Sequence, residues 1–398
     1  MALKLEDISE NPYQNFITYL NNDQTRAMYL SILEKFLKVI PKEIFVKNLG
    51  KSGNTVPELA TLFVELAQKD IGLVRQIIHA YVRELKDKQI VEKTKDATLK
   101  NQLKPIVALF DANEIGFSWK VINKGIPKAG LSKDRAYTRE ELQTLMLCAC
   151  DILDKLIIVL FSSAGFRLGA WDYLTWNDVI FFSNPDGSQK GLGLRIYAGD
   201  AEEYWTHATP EAQKILLLYR EEWKERFGKY PEKSDPFIVP ARIYSYKTIR
   251  PLSSRGVSSR VLNMLKRSGL KGINVQTDNG FRKYFNTMCR RAKVFSDDRE
   301  DMMGHYRGLQ KHYERYEELD FERFPEYQKA ISFLAIDDAE RKDAVIQRKD
   351  QEITELQAEK ENNTDLQKQL DEMKPQLAKL EKYWLEENIT KKIVLPIK

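Results

Sequence analysis

Apolar residues recur at three- and four-residue steps through the first third of the chain, the spacing of helices with one buried face. Tyr29, Leu33, Phe36, Leu37 and Ile40 share one such face, with Thr25 as the expected N-cap. Leu73, Ile77, Ile78, Tyr81, Val82 and Leu85 form a second. Leu99, Leu103, Ile106, Val107 and Phe110 form a third, which Pro105 is expected to bend or delay because it lacks an amide hydrogen. Residues 10–125 therefore read as one all-helical domain.

The pattern then breaks. From Lys124 to Lys133 the chain mixes glycine, proline and serine with lysine, as in an extended basic linker, placed at 126–137. Thr138 followed three residues later by Glu141 is a capping box, and it opens a second domain over 138–335. A buried helix is expected to end near Ala164-Gly165, with a short one from Leu168 to Leu174. Alternating stretches at 178–182 and 192–197 flank the turn from Asn184 to Gly187, and 204–207 pairs back as a third strand. Thr209-Pro210 starts the next helix, and helices dominate from there. The tail over 338–388 is charge-dense, with Ile353 and Leu356, then Leu366, Leu370, Met373, Leu377, Leu380 and Trp384, at coiled-coil steps. Pro375 is expected to kink or break that helix. The fold class expected is mainly α with a small antiparallel β-sheet: a helical domain, a mixed α/β domain and a C-terminal coiled-coil-like helix.

Composition narrows the chemistry. The 398 residues carry a net charge of +5, which permits a polyanionic partner without demanding one. Three cysteines (Cys148, Cys150, Cys289) and four histidines (His79, His207, His305, His312) have neither disulfide-framework nor zinc-ligand spacing. No cofactor or metal is expected, and a reducing cytosol is the expected setting. The run from Leu153 to Ala164 is too short to cross a bilayer and is interrupted by Asp154 and Lys155, so no membrane association is expected.

Four places hold candidate chemistry. Arg167 follows a Gly165 bend at the start of a short helix, where its guanidinium can enter an anion site. Asn279-Gly280-Phe281-Arg282-Lys283 is the second, Met303-Gly304-His305 the third, and Lys311-His312-Tyr313-Glu314-Arg315-Tyr316 the fourth. Lys124, Lys128, Lys133 and Arg135 around the linker, with Lys283, are the candidate contacts to a polyanionic partner.

In their order and spacing these motifs resemble the tyrosine recombinases (phage integrases), in particular the archaeal branch. Arg167 and Arg282 match the family's two arginines, His305 its Gly-His position, and Tyr313 lies eight residues beyond His305. The resemblance covers 138–330 and, more loosely, Asn22–Ile40 and Ala108–Pro127, which look like the family's core-binding domain. It implies site-specific recombination, for integration or excision of a mobile element, by a nucleoid-associated protein. The partner is double-stranded DNA held in a two-domain clamp, and the assembly is a homo-oligomer, a tetramer in the synaptic complex. Tyr313, or alternatively Tyr316, attacks a backbone phosphate and forms a 3′-phosphotyrosyl link. The arginines hold the developing charge, and His305 donates a hydrogen bond or assists proton transfer. Two departures stand out. Asn279 replaces the usual histidine or lysine of the His-x-x-Arg box, and the hairpin over 198–204 is acidic where the family has a lysine. The nearest lysine upstream is Lys190. The alternatives are a catalytically impaired DNA-binding relative acting as an accessory factor, and an enzyme of type IB topoisomerase activity.

Overall fold

The structure is a computed structural model. It describes residues 11–92, 96–126, 134–241, 249–272, 274–305 and 316–393. The chain divides into two compact units, Met1–Ser132 and Lys133–Lys398.

The first unit is built of helices: α1 (Pro12–Tyr19), α2 (Asp23–Lys38), α3 (Lys42–Leu49), α4 (Val56–Lys69), α5 (Ile71–Glu92), α6 (Asp96–Asp111) and α7 (Lys120–Gly125). The apolar faces read from the sequence converge on a ring of aromatics. Phe36 meets Phe63 edge-on at 5.1 Å, and Phe63 stacks on Phe110 at 5.7 Å. Such pairs add directional contacts to the burial of large apolar area. Two expectations are corrected. Asn22, not Thr25, caps α2, its side chain accepting from the Thr25 amide. Pro105 lies inside α6 and neither delays nor ends it.

The second unit is organised round a buried helix. Thr138 and Glu141 form the expected capping box of α8 (Arg139–Leu147). In α9 (Ile152–Ala164) every residue from Leu156 to Ala164 is buried. Its one deeply buried carboxylate, Asp154, accepts from Arg260, Arg267 and the Cys150 amide, as burial of a charge requires. A 3-10 turn (Leu168–Asp172) follows, then an antiparallel sheet of β1 (Val179–Ser183), β2 (Gln189–Ile196) and β3 (Tyr204–Ala208) in that order. In register, Leu194 faces Thr206 and Ile196 faces Tyr204, so these four share the face toward α9, and the Thr206 hydroxyl donates to Ala164 O at 2.7 Å. The helices α10 (Pro210–Phe227), α11 (Ser254–Arg267), α12 (Asn279–Arg291) and α13 (Ser296–Met302) complete the body.

Two C-terminal helices differ sharply. In α14 (Tyr316–Leu334), Phe324, Tyr327, Ala330 and Leu334 are buried, and the Tyr327 hydroxyl donates to Ser163 O at 2.8 Å. By contrast α15 (Asp338–Ile393) is continuous through Pro375, so the expected break does not occur. A proline removes one amide bond and crowds one carbonyl, and on an exposed helix water can satisfy that carbonyl. Leu366, Leu370, Met373, Leu377 and Leu380 are each more than half exposed. Among the described residues no helix is long and apolar enough to cross a membrane.

Candidate active site

Two chain reversals and the start of a helix assemble the site. The first is Gly165, which ends α9 with a left-handed φ of 62°. A Cβ there would stand 2.4 Å from the Phe285 ring of α12, so glycine both turns the chain and lets the two helices close. The reversed chain delivers Arg167 just before the 3-10 turn. The second element is the start of α12, where Asn279 is the first residue and Arg282 lies one turn in, 8% exposed. The third is Gly304 after α13, with φ of 63° and Tyr204 packed where its Cβ would be. That reversal brings the His305 amide back to Glu300 O at 2.9 Å.

The two arginines meet on this last turn. Arg167 Nη2 donates to Gly304 O at 3.1 Å, and Arg282 Nη2 donates to the neighbouring Met303 O. Arg282 Nη1 also donates to Gly165 O at 2.8 Å, which ties both reversals to the start of α12. Arg282 Nη2 lies 2.7 Å from His305 Nε2, while His305 Nδ1 lies 2.7 Å from Glu300 Oε2. A guanidinium can only donate, so Nε2 accepts and the imidazole proton sits on Nδ1, facing Glu300. The hydrogen bond from His305 is the main reason that the Glu300 carboxyl is held below its ordinary range.

Burial, then repulsion from Arg167, disfavours the charged form of Arg282, while the nearby Tyr204 phenol opposes this. The Tyr204 phenol is itself pushed up to about 12 by burial, with both guanidiniums pulling the other way. Among the described residues neither arginine forms an ion pair with a carboxylate; their partners are carbonyls and an imidazole. An open pocket of about 650 Å³ lies in front of them, lined by Arg167, Asn279, Arg282 and His305 with Gln276, Thr277 and one carboxylate, Asp278, whose charged form burial disfavours. Its concentration of positive charge over peptide dipoles suits an anion the size of a phosphodiester.

The structure thus brings together Arg167, Arg282, His305 and Asn279, whose exposed amide donates to Gln276 Oε1 at 2.9 Å. Tyr313 lies outside the described residues, as do Lys128 and Lys133; Tyr316 is the first residue of α14. Lys124 is exposed in α7 of the first unit. Arg135 forks onto Glu141 at 2.5 and 2.8 Å, and the Lys283 ammonium sits 2.5 Å from Asp134, so both charges are engaged inside the second unit. Lys190 stands over the Phe324 ring at 5.5 Å, and Arg195 of β2 is paired with Glu203 at 2.9 Å. Sequence reading missed Glu300, Tyr197 and Tyr204. A carboxylate five residues before a histidine, with Gly304 between them, was the available signal for the first.

No family model and no curated protein matches the chain. Among solved structures it is similar to the XerH site-specific recombinase bound to palindromic difH substrate, at 14% identity and a TM-score of 0.45 over 81% of this chain and 99% of that one. It is similar to a lambda integrase dimer bound to a core site, at 16% identity and 0.41 over 71% and 75%. It is also similar to the integrase from mycobacterium phage Brujita, at 12% identity and 0.36 over 80% and 90%. Likeness at this level assigns no chemistry to individual residues.

Proposed function

We propose that the protein cuts and rejoins DNA strands through a tyrosine, as a site-specific recombinase of the tyrosine recombinase family, its archaeal branch, for integration or excision of a mobile element. The observation that carries this reading is the convergence of Arg167 and Arg282 on the Met303–Gly304 carbonyls beside His305, at the mouth of one open pocket. A scissile phosphate seated there meets two permanent cations, which stabilise the charge that grows on its oxygens as the tyrosine attacks. Arg282 directs one N–H to each of the Gly165 and Met303 carbonyls, and no carboxylate among the described residues pairs with the rest of its fork. Asn279 adds a neutral amide donor. His305, with its proton toward Glu300, takes the proton of the attacking phenol on Nε2 once Arg282 Nη2 turns from it to the phosphate. Tyr313 is the nucleophile in this reading and Tyr316 the alternative. The action of a homo-oligomer on double-stranded DNA belongs with it.

The test works without a defined target site. The full chain is incubated with a pool of nicked duplexes of randomised sequence, and SDS-stable adducts are isolated and sequenced. The expected result is a covalent adduct on a common sequence, lost in Tyr313→Phe. Adduct retained there but lost in Tyr316→Phe moves the nucleophile. DNA binding with no adduct overturns the enzyme reading in favour of an accessory DNA-binding role, which the acidic hairpin around Asp200, Glu202 and Glu203 favours.

A further inference from the structure

We propose that Tyr197 donates the proton to the 5′-oxygen that leaves as the strand is cut; this rests on the strand-cleavage reading above. An alkoxide leaves readily only if it is protonated as its bond to phosphorus breaks. The groups already placed in the pocket are poor donors. Both arginines hold their protons too tightly, and the Asn279 amide does not ionise. His305 has its one proton on Nδ1, bonded to Glu300, and its Nε2 accepts from Arg282. Lys190 lies on Phe324 and Lys283 on Asp134.

Among the described residues, two phenols remain beside the guanidiniums. Tyr204 is 5% exposed, with its ring packed against Gly304. Tyr197 is half-buried, directly follows β2 and feels the charge of Arg167 and then of Arg282. Its hydroxyl lies over Gly169, two residues beyond Arg167, 3.4 Å from where a Cβ would stand.

The backbone supplies a second observation. Tyr197 has a φ of 56°, a left-handed conformation that bulky residues avoid. Regular alternation along β2 would send residue 197 to the face opposite Ile196 and Tyr204. The left-handed residue breaks that alternation, and the Tyr197 ring packs edge-on between Tyr173 at 5.6 Å and Tyr204 at 6.3 Å. Strain of this kind persists where surrounding contacts fix it, and it gathers at functional sites. Burial keeps the phenol protonated at neutral pH; Arg167 and, more weakly, Arg282 ease the phenolate that forms once the proton has gone, while Glu202 and Tyr173 oppose it.

The step balances. Arg282 Nη2 turns from His305 to the phosphate, and the attacking phenol passes its proton to the freed Nε2 as its oxygen bonds to phosphorus. The bond from phosphorus to the 5′-oxygen breaks, and the Tyr197 proton completes a 5′-hydroxyl. When a 5′-hydroxyl later attacks the phosphotyrosine, its proton passes to the Tyr197 phenolate, the bond from phosphorus to the tyrosine oxygen breaks, and His305 returns its proton to that oxygen.

The test uses the full chain with a duplex recovered from the randomised pool, made with either oxygen or sulfur at the bridging 5′ position. Sulfur leaves as a thiolate and needs no proton. In Tyr197→Phe, cleavage of the oxygen duplex is expected to fall about 10²- to 10⁴-fold while the sulfur duplex is cut within about threefold of the parent rate. Equal losses on both duplexes would make Tyr197 a scaffold and overturn the proposal. So would undiminished cleavage of the oxygen duplex, or an oxygen–sulfur split that appears in Tyr204→Phe instead. If the parent chain cuts neither duplex, the strand-cleavage reading itself fails.

Discussion

Two pairs of arginines are drawn into the second unit, and their surroundings differ in kind. Arg260 and Arg267 of α11 meet carboxylates: Arg260 reaches Asp151 at 3.0 Å and Asp154 at 2.5 Å, and Arg267 reaches Asp154 at 3.1 Å. Arg167 and Arg282 meet carbonyl oxygens and an imidazole. In the first pair charge cancels charge and the cluster is complete. In the second, peptide dipoles orient the guanidiniums without neutralising them, so a net positive field faces the open pocket. Glu211 is the acidic counterpart of the second kind, 5% exposed and held by the amides of Ile336 and Asp337 at 2.8 and 3.1 Å.

If this contrast is right, the two pairs fail differently. The largest effect on stability is expected from Arg260→Ala, which takes the cation from Asp151 and leaves the buried Asp154 to the partly exposed Arg267 alone; urea unfolding should show a loss of about 3–5 kcal/mol with the anion pocket intact. A loss under about 1 kcal/mol would mean that the carboxylates do not need the cation. Arg282→Lys should act the other way round. Adduct formation should slow about 10²- to 10³-fold, because an ammonium cannot fork between carbonyls and phosphate, while the urea midpoint moves little.

Next comes pH. Burial raises the Glu211 carboxyl from its ordinary 4.5 to about 7, against the pull of its two amide donors. Its proton is therefore held more tightly in the folded than in the unfolded chain. The associated stability is fully present below pH 4.5 and is lost as pH rises to about 7, by up to about 3 kcal/mol. Glu211→Gln should remove that slope from urea midpoints taken across the window; an unchanged slope would assign it to other groups. The smallest effect belongs to Arg267→Ala. Its side chain is 39% exposed and Arg260 still holds Asp154, so a loss of about 0.5–1 kcal/mol is expected in the same urea assay.

Much of the fold was legible because it is locally encoded. The Thr138 and Glu141 capping box, the apolar run of α9 and the Asn184–Gly187 turn each signal their structure within a few residues. Two prolines misled because the steric rule says nothing of what can satisfy the freed carbonyl, and α6 and α15 pass through Pro105 and Pro375. In the candidate site, Arg167, Arg282 and His305 were singled out through the family resemblance, whose motifs they match. Their partners were not, because backbone carbonyls have no side-chain signature. The roles of Glu300 and Tyr197 were equally hidden, since they depend on where a left-handed residue redirects the chain.

The carbonyls that orient the arginines belong to consecutive residues, Met303 and Gly304. A bound anion that draws both guanidiniums forward must therefore loosen one short turn. By thermodynamic reciprocity, whatever shifts that turn changes the affinity of the pocket for the anion by the same factor. Filling the pocket and resetting the Met303–Gly304 turn then become a single equilibrium.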